Sequence, residues 1–171
     1  MVPDGFLDLD DAALLAQCSV DVYRASGPGG QKRNKIESAV RLRHAPTGIL
    51  AVAEESRSQH ENKARALKRL RRKIALHLRR TVTPEGYRPS PLLAGCISGA
   101  GKLHVGRRDA RFNAAVQELL DVLCACGMQV STGAKLIGVT TANLTSFLRD
   151  EPDVWRRVNE MRTAAGLKGL K

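Results

Sequence analysis

The chain has 171 residues, of which 43% are hydrophobic but only 4% aromatic, so any core must be built mostly from Leu, Val, Ile and Ala. Its formal charge of +11 points to a polyanionic partner, because a field of that sign attracts phosphate and repels other cations; charge alone also leaves an anionic membrane surface open. With no apolar run of about 18 residues and an acidic start, MVPDGFLDLDD, where secretory and mitochondrial presequences are basic, a cytoplasmic protein with no membrane partner is expected. Cys18, Cys96, Cys124 and Cys126 form no CxxC pair and have no His at zinc spacing, so we expect packing thiols, no metal and no cofactor.

In chain order, FLDLDDAALLAQ reads as one short amphipathic helix. Val20 and Val22 alternate with polar residues, which predicts a half-buried strand over 19–24. SAVRLRH (38–44) and GILAVAEE (48–55) read as two further strands around a tight turn at Pro46-Thr47-Gly48, giving a small antiparallel sheet. From Ser58 to Arg80 a long basic helix is predicted: Ser58 and Glu61 have capping-box spacing, and Ala64, Leu67, Leu70, Ile74 and Leu78 mark one apolar stripe. Between Arg24 and Arg80 sixteen Lys and Arg face four Asp and Glu, so the polyanion is expected to meet this half.

Pro and Gly interrupt every periodic pattern over 81–106, which suggests a linker or an ordered loop. Beyond it, Phe112, Val116, Leu119, Leu123 and Cys126 lie on one helical face that stops at Gly127, and helices near 132–137 and 141–148 flank a turn at Gly138. A last helix is expected with Asp150 as its cap, Pro152 in its first turn and Val154, Trp155, Val158 and Met161 as its stripe. The expected architecture is therefore α+β, divided into 1–80 (sheet and long basic helix), a linker at 81–106 and an all-α helical module at 107–171. The helix, Gly turn and helix within STGAKLIGVTTANLTSFL are compatible with a helix-turn-helix, and equally with a packing module that has no nucleic-acid role.

The stretch SGPGGQKRNK (26–35) carries the chemistry. It lacks the GK[ST] ending of a phosphate-cradling P-loop and the GxGxxG of a dinucleotide loop. Gly29 and Gly30 open backbone angles closed to other residues, and Pro28 stiffens the approach, so Gln31 is presented on a side-chain-poor finger. An amide has no useful pKa near neutrality and cannot act as a general base. Its groups and its backbone N–H can nevertheless position water or stabilise an oxyanion.

RASGPGGQ (24–31) with Asn34 and Lys35, SAVRLRH, PTGI (46–49) and RSQHENKARAL (57–67) closely resemble the catalytic, GGQ-bearing domain of bacterial class I peptide chain release factors, over roughly residues 19–80. The resemblance implies ribosome-dependent hydrolysis of the peptidyl-tRNA ester in the peptidyl transferase centre of the large subunit. It implies that the Gln31 N–H stabilises the transition state or the leaving tRNA hydroxyl, that the Gln31 side chain admits water and excludes larger nucleophiles, and that Gly29 and Gly30 hold the loop. Arg24, Lys32, Arg33, Lys35, Arg41, Arg57 and Lys63 would then neutralise rRNA phosphates. The chain departs from the family at Lys32-Arg33, where His-Val is usual.

Nothing in the C-terminal half resembles a codon-reading domain, so the sequence leads us to expect codon-independent release that rescues stalled ribosomes, by a monomer whose helical module docks to rRNA, a ribosomal protein or a further factor. The competing expectation is a non-catalytic ribosome- or nucleic-acid-binding protein that has kept the GGQ loop.

Overall fold

Asp10 opens the first element: its carboxylate accepts the Ala13 N–H at 2.7 Å and caps helix α1 (Asp11–Ala16), whose Leu14 is fully buried. In the computed structural model residues 5–24 and 37–171 are described, and the chain divides into two compact units, Met1–Ile74 and Ala75–Lys171. Among the described residues, no helix is long and apolar enough to cross a membrane.

In the first unit, strands β1 (Cys18–Tyr23), β2 (Ala39–His44) and β3 (Leu50–Ala53) form an antiparallel sheet in sequence order. Alternation sets its faces: Val40, Leu42 and His44 of β2 are buried while Arg41 and Arg43 point to solvent, and the register pairs Tyr23 with Ala39 and Arg41 with Val52. The predicted turn is present. Gly48 takes φ 70, which favours glycine, and its N–H reaches His44 O at 2.8 Å. His44, fully buried, lies edge-on to Phe6 with ring centroids 4.7 Å apart.

Helix α2 (Gln59–His77) starts where the spacing predicts, with Ser58 Oγ accepting the Glu61 N–H at 3.3 Å. The second arm of a capping box is replaced, because the Ser58 N–H donates to Ser56 Oγ at 3.0 Å. Ala64, predicted inside, is exposed, and Leu78 lies past the end of the helix and is half-buried; the buried residues of α2 are Asn62, Ala66, Leu67, Leu70, Ile74, Ala75 and Leu76. Full burial of Leu70 or Ile74 is worth about 1.5–3 kcal/mol each.

The same helix covers the open edge of the sheet. Arg69 Nη1 donates to Val52 O at 2.6 Å and Lys73 Nζ to Leu50 O at 2.8 Å. Four helical residues rise about 6 Å and two strand residues about 6.8 Å, so side chains one turn apart match carbonyls that point the same way along β3. Arg71 grips the chain before α1, donating to Leu9 O at 2.7 Å and pairing with Asp11 at 2.8 Å.

The second unit contains α3 (Pro91–Ala94), α4 (Phe112–Ala125), α5 (Val130–Ile137), α6 (Thr141–Asp150) and α7 (Pro152–Ala164). The Pro- and Gly-rich stretch lies within this unit: Ser90 Oγ caps α3 by accepting the Leu93 N–H at 3.1 Å, and Ile97 bridges to Leu103. Helix α4 is buried on nearly all sides rather than along one stripe, down to Gln117, Glu118 and Asp121. Those polar groups are paired: Glu118 accepts from Tyr87 Oη at 2.7 Å and Ser90 N at 2.8 Å, while Asp121 pairs with Arg79 at 3.0 Å and Arg80 at 2.9 Å. Burial lowers the Arg79 guanidinium to about 10 against the pull of Asp121.

Helix α4 closes as expected, with Gly127 at φ 58, although Cys126 is half-buried rather than part of the core. Gly138 turns the chain at φ 87 between α5 and α6, and a Cβ on Gly133 would meet Leu123 Cδ2 at 2.7 Å, so α5 and α4 approach closely. Asp150 does not cap α7: it is the last residue of α6, and Glu151 occupies the N-cap position without a side-chain bond. Pro152 follows at the first turn as predicted, because that position needs no N–H partner.

Candidate functional site

The predicted catalytic residues Gly29, Gly30 and Gln31, with Lys32, Arg33 and Lys35, lie outside the described residues. What the structure gives is the base from which they spring. Residues 25–36 belong to the connection between β1 and β2, and these antiparallel strands pair up to Tyr23 and Ala39. Arg24 Nε and Glu37 Oε1 form an exposed ion pair at 3.2 Å, so the two residues flanking the connection are held together.

Beneath that pair lies a buried amide. Asn62, the first buried residue of α2, donates from Nδ2 to Ser38 O at 2.6 Å and to Ser56 O at 2.8 Å, and its Oδ1 accepts the Ser56 N–H at 3.0 Å. Ser38 Oγ adds a bond to Ser56 O at 3.1 Å. One side chain thus joins the return arm of the connection, the segment between β3 and α2, and the helix itself. Sequence reasoning missed Asn62, although its place four residues before Ala66 and eight before Leu70 puts a polar group on the apolar stripe.

Of the cations singled out from sequence, Arg24 is paired with Glu37, and Arg41 is paired with Asp21 and lies 5.7 Å over the Tyr23 ring. Burial, and next the Glu54 carboxylate, push the Tyr23 hydroxyl upward, so it stays a neutral donor to Glu54. Arg57 is exposed and Lys63 half-buried, and among the described residues neither has an ion-pair partner. The structure does not bring these four into one cluster of mutual contacts. Arg43 on the outer face of β2 and Lys68 on α2 are further exposed cations that sequence reasoning did not name.

No group of three or more His, Cys, Asp and Glu suited to a metal ion occurs among the described residues, and Cys18, Cys96, Cys124 and Cys126 are free thiols. Burial raises the thiols of Cys18, Cys96 and Cys126, which keeps them protonated and poorly nucleophilic near neutrality.

The sequence that builds the three-stranded sheet and the long basic helix matches a known family: the RF-1 domain model covers residues 14–88. Residues 14–88 form an RF-1 domain. Peptide chain release factor 1 of Acidiphilium cryptum is 52% identical over 67 residues, covering 39% of this chain and 19% of that protein. Peptide chain release factor 2 of Buchnera aphidicola is 60% identical over 70 residues, again 39% of this chain and 19% of the relative. A longer match, to peptide chain release factor 1 of Erythrobacter litoralis, is 34% identical over 134 residues, 75% of this chain and 37% of that protein. The chain therefore spans well under half the length of these relatives. The RF-1 domain includes the GGQ connection, the sheet, all of α2 and its Asn62.

Proposed function

We propose that this protein is a codon-independent peptide release factor: it hydrolyses the peptidyl-tRNA ester in the peptidyl transferase centre and frees nascent chains from stalled ribosomes. The observation that carries the reading is an intact Gly29-Gly30-Gln31 inside an RF-1 domain, on a hairpin whose flanking residues are tied by Arg24, Glu37 and Asn62.

In this reading the ester carbonyl is attacked by water, and the Gln31 backbone N–H donates to the oxygen on which charge develops. One such donor is worth about 10²- to 10³-fold in rate. The Gln31 amide cannot take a proton, so its side chain orients water and bars larger nucleophiles. Gly29 and Gly30 admit the backbone to a crowded centre. Arg24, Lys32, Arg33, Lys35, Arg41, Arg57 and Lys63 contact rRNA phosphates; of the described ones, Arg24 follows β1, Arg41 lies on β2, Arg57 precedes α2 and Lys63 lies on α2.

Codon independence is carried over from the sequence reading as the part of the proposal that the test below addresses; the second unit is an array of helices α3–α7. We assign that unit a docking role, toward rRNA, a ribosomal protein or a further factor. The α5–Gly138–α6 turn also favours a second reading, a non-catalytic nucleic-acid-binding protein. Against it, the exposed face of α6 carries Thr141, Ala142, Ser146, Arg149 and Asp150, with a single cation. The test is peptide release from purified ribosomes stalled on mRNA with and without a stop codon in the decoding site. Equal release on both supports the proposal, and release only with a stop codon, or binding without release, overturns it.

A further inference from the structure

We propose that Asn62 is a positioning residue for release: by fixing Ser38 and Ser56 it sets where the chain leaves the GGQ hairpin, and so governs the rate of ester hydrolysis rather than affinity for the ribosome. The inference rests on the release reading above and deepens it.

Asn62 has no exposed surface and sits on the stripe that otherwise holds Ala66, Leu67, Leu70 and Ile74. Burying an amide there is unfavourable unless its groups are satisfied, and an apolar residue would serve helix packing better. Its three bonds fix the orientation of the amide. Two carbonyl oxygens, of Ser38 and Ser56, face Nδ2 and one N–H, of Ser56, faces Oδ1, so a flipped amide would set oxygen against oxygen and N–H against N–H. The partners are not other parts of α2. Ser38 stands directly between Glu37 and β2 on the return arm of the hairpin, and Ser56 follows β3.

The outer tie at the same base, Arg24 to Glu37, is more than half exposed on both side chains, at 61% and 57%, so solvent and salt screen it. The amide tie, buried and uncharged, is not subject to that screening. A misplacement of about 1 Å at a reacting centre can cost about 10²-fold in rate, which is how a residue that touches no substrate can matter to chemistry.

The test uses full-length protein and three substitutions. Asn62→Asp keeps the shape and Oδ1 but turns both donors into acceptors facing carbonyls; Asn62→Ala removes all three bonds; Ser38→Ala removes only the 3.1 Å bond to Ser56 O. Release is measured as a single turnover at saturating protein, beside ribosome-binding isotherms and urea unfolding. Asn62→Asp is expected to slow release about 10- to 100-fold with Kd changed less than about twofold, and Ser38→Ala to slow it by less.

Normal release by folded Asn62→Asp, or a loss that appears equally in Kd, overturns the proposal. Should Asn62→Asp fail to fold, Asn62→Ala, which removes all three bonds without adding a charge, decides by the same criterion. If wild type itself releases nothing, the release reading fails and the latch is judged separately by amide exchange in Asn62→Ala. Faster exchange confined to Ser56 and the 37–39 segment supports the latch, and unchanged exchange there refutes it.

Discussion

At the scale of single residues, His44 shows how one buried ring ties pH to stability. Its Nε2 lies 3.1 Å from Gln17 Oε1 and its Nδ1 2.8 Å from Thr47 Oγ1, which also accepts the Ile49 N–H. The arrangement suits a neutral ring that donates from Nε2 and accepts at Nδ1. Burial lowers its pKa below the ordinary histidine value. The unfolded chain therefore binds the proton more readily, so this contribution is fully present above about pH 6.5 and is lost as pH falls toward the folded-state value. We predict that urea midpoints fall on acidification from pH 7 to 5.5, and that His44→Gln, less stable throughout, loses this part of the slope; an unchanged slope contradicts the assignment. The residue scale is also where sequence reading stopped short. Gly29, Gly30 and Gln31 announce themselves by composition, whereas Asn62 is an ordinary polar letter until the Ser38 and Ser56 backbones are seen around it.

Among the elements, helix α2 does three separate jobs with three faces. Leu70 and Ile74 fill the core, Arg69 and Lys73 occupy carbonyls of the β3 edge, and Arg71 holds the segment before α1. Leu70→Ala should cost about 2–5 kcal/mol by denaturant unfolding, as truncations at fully buried leucines do. The double substitution Arg69→Ala/Lys73→Ala should cost less, about 1–2 kcal/mol, because both side chains are partly solvated, but it uncovers a strand edge. Concentration-dependent association in light scattering is expected for that variant, and a monomeric, equally stable protein would contradict the capping account.

The strands and α2 were legible because alternation and the three- and four-residue spacing are local signals. Helix α4 was legible only as a helix. Its apolar letters suggested one face, while Gln117, Glu118 and Asp121 are buried too because Leu78, Tyr87, Ser90, Arg79 and Arg80 supply partners from distant sequence. Asp121→Ala, which leaves two guanidiniums without their carboxylate, should cost about 3–5 kcal/mol; a loss under 1 kcal/mol by unfolding would show the network to be incidental.

For the molecule as a whole, the proposed release role and the charge of +11 are compatible, since rRNA would offer that charge a large phosphate surface. Binding to ribosomes should weaken linearly in log Kd against log salt, and Lys63→Ala or Arg57→Ala should each make that slope shallower by about one phosphate contact. Release per bound protein should not change in these variants, since neither cation lies in the hairpin. The boundary between the two units falls inside α2, between Ile74 and Ala75, in a stretch whose sequence pattern runs on without a break to Arg80, so no composition signal marked it.

The central claim is that the Gly29-Gly30-Gln31 hairpin hydrolyses the peptidyl-tRNA ester. Its most direct test compares wild type with Gly30→Ala on ribosomes stalled without a stop codon, at matched occupancy. The substitution narrows the backbone angles open to the hairpin without removing a cation, so release is expected to fall at least about 10²-fold while binding is retained. Equal release by both proteins at equal occupancy, or release by neither, would contradict the account.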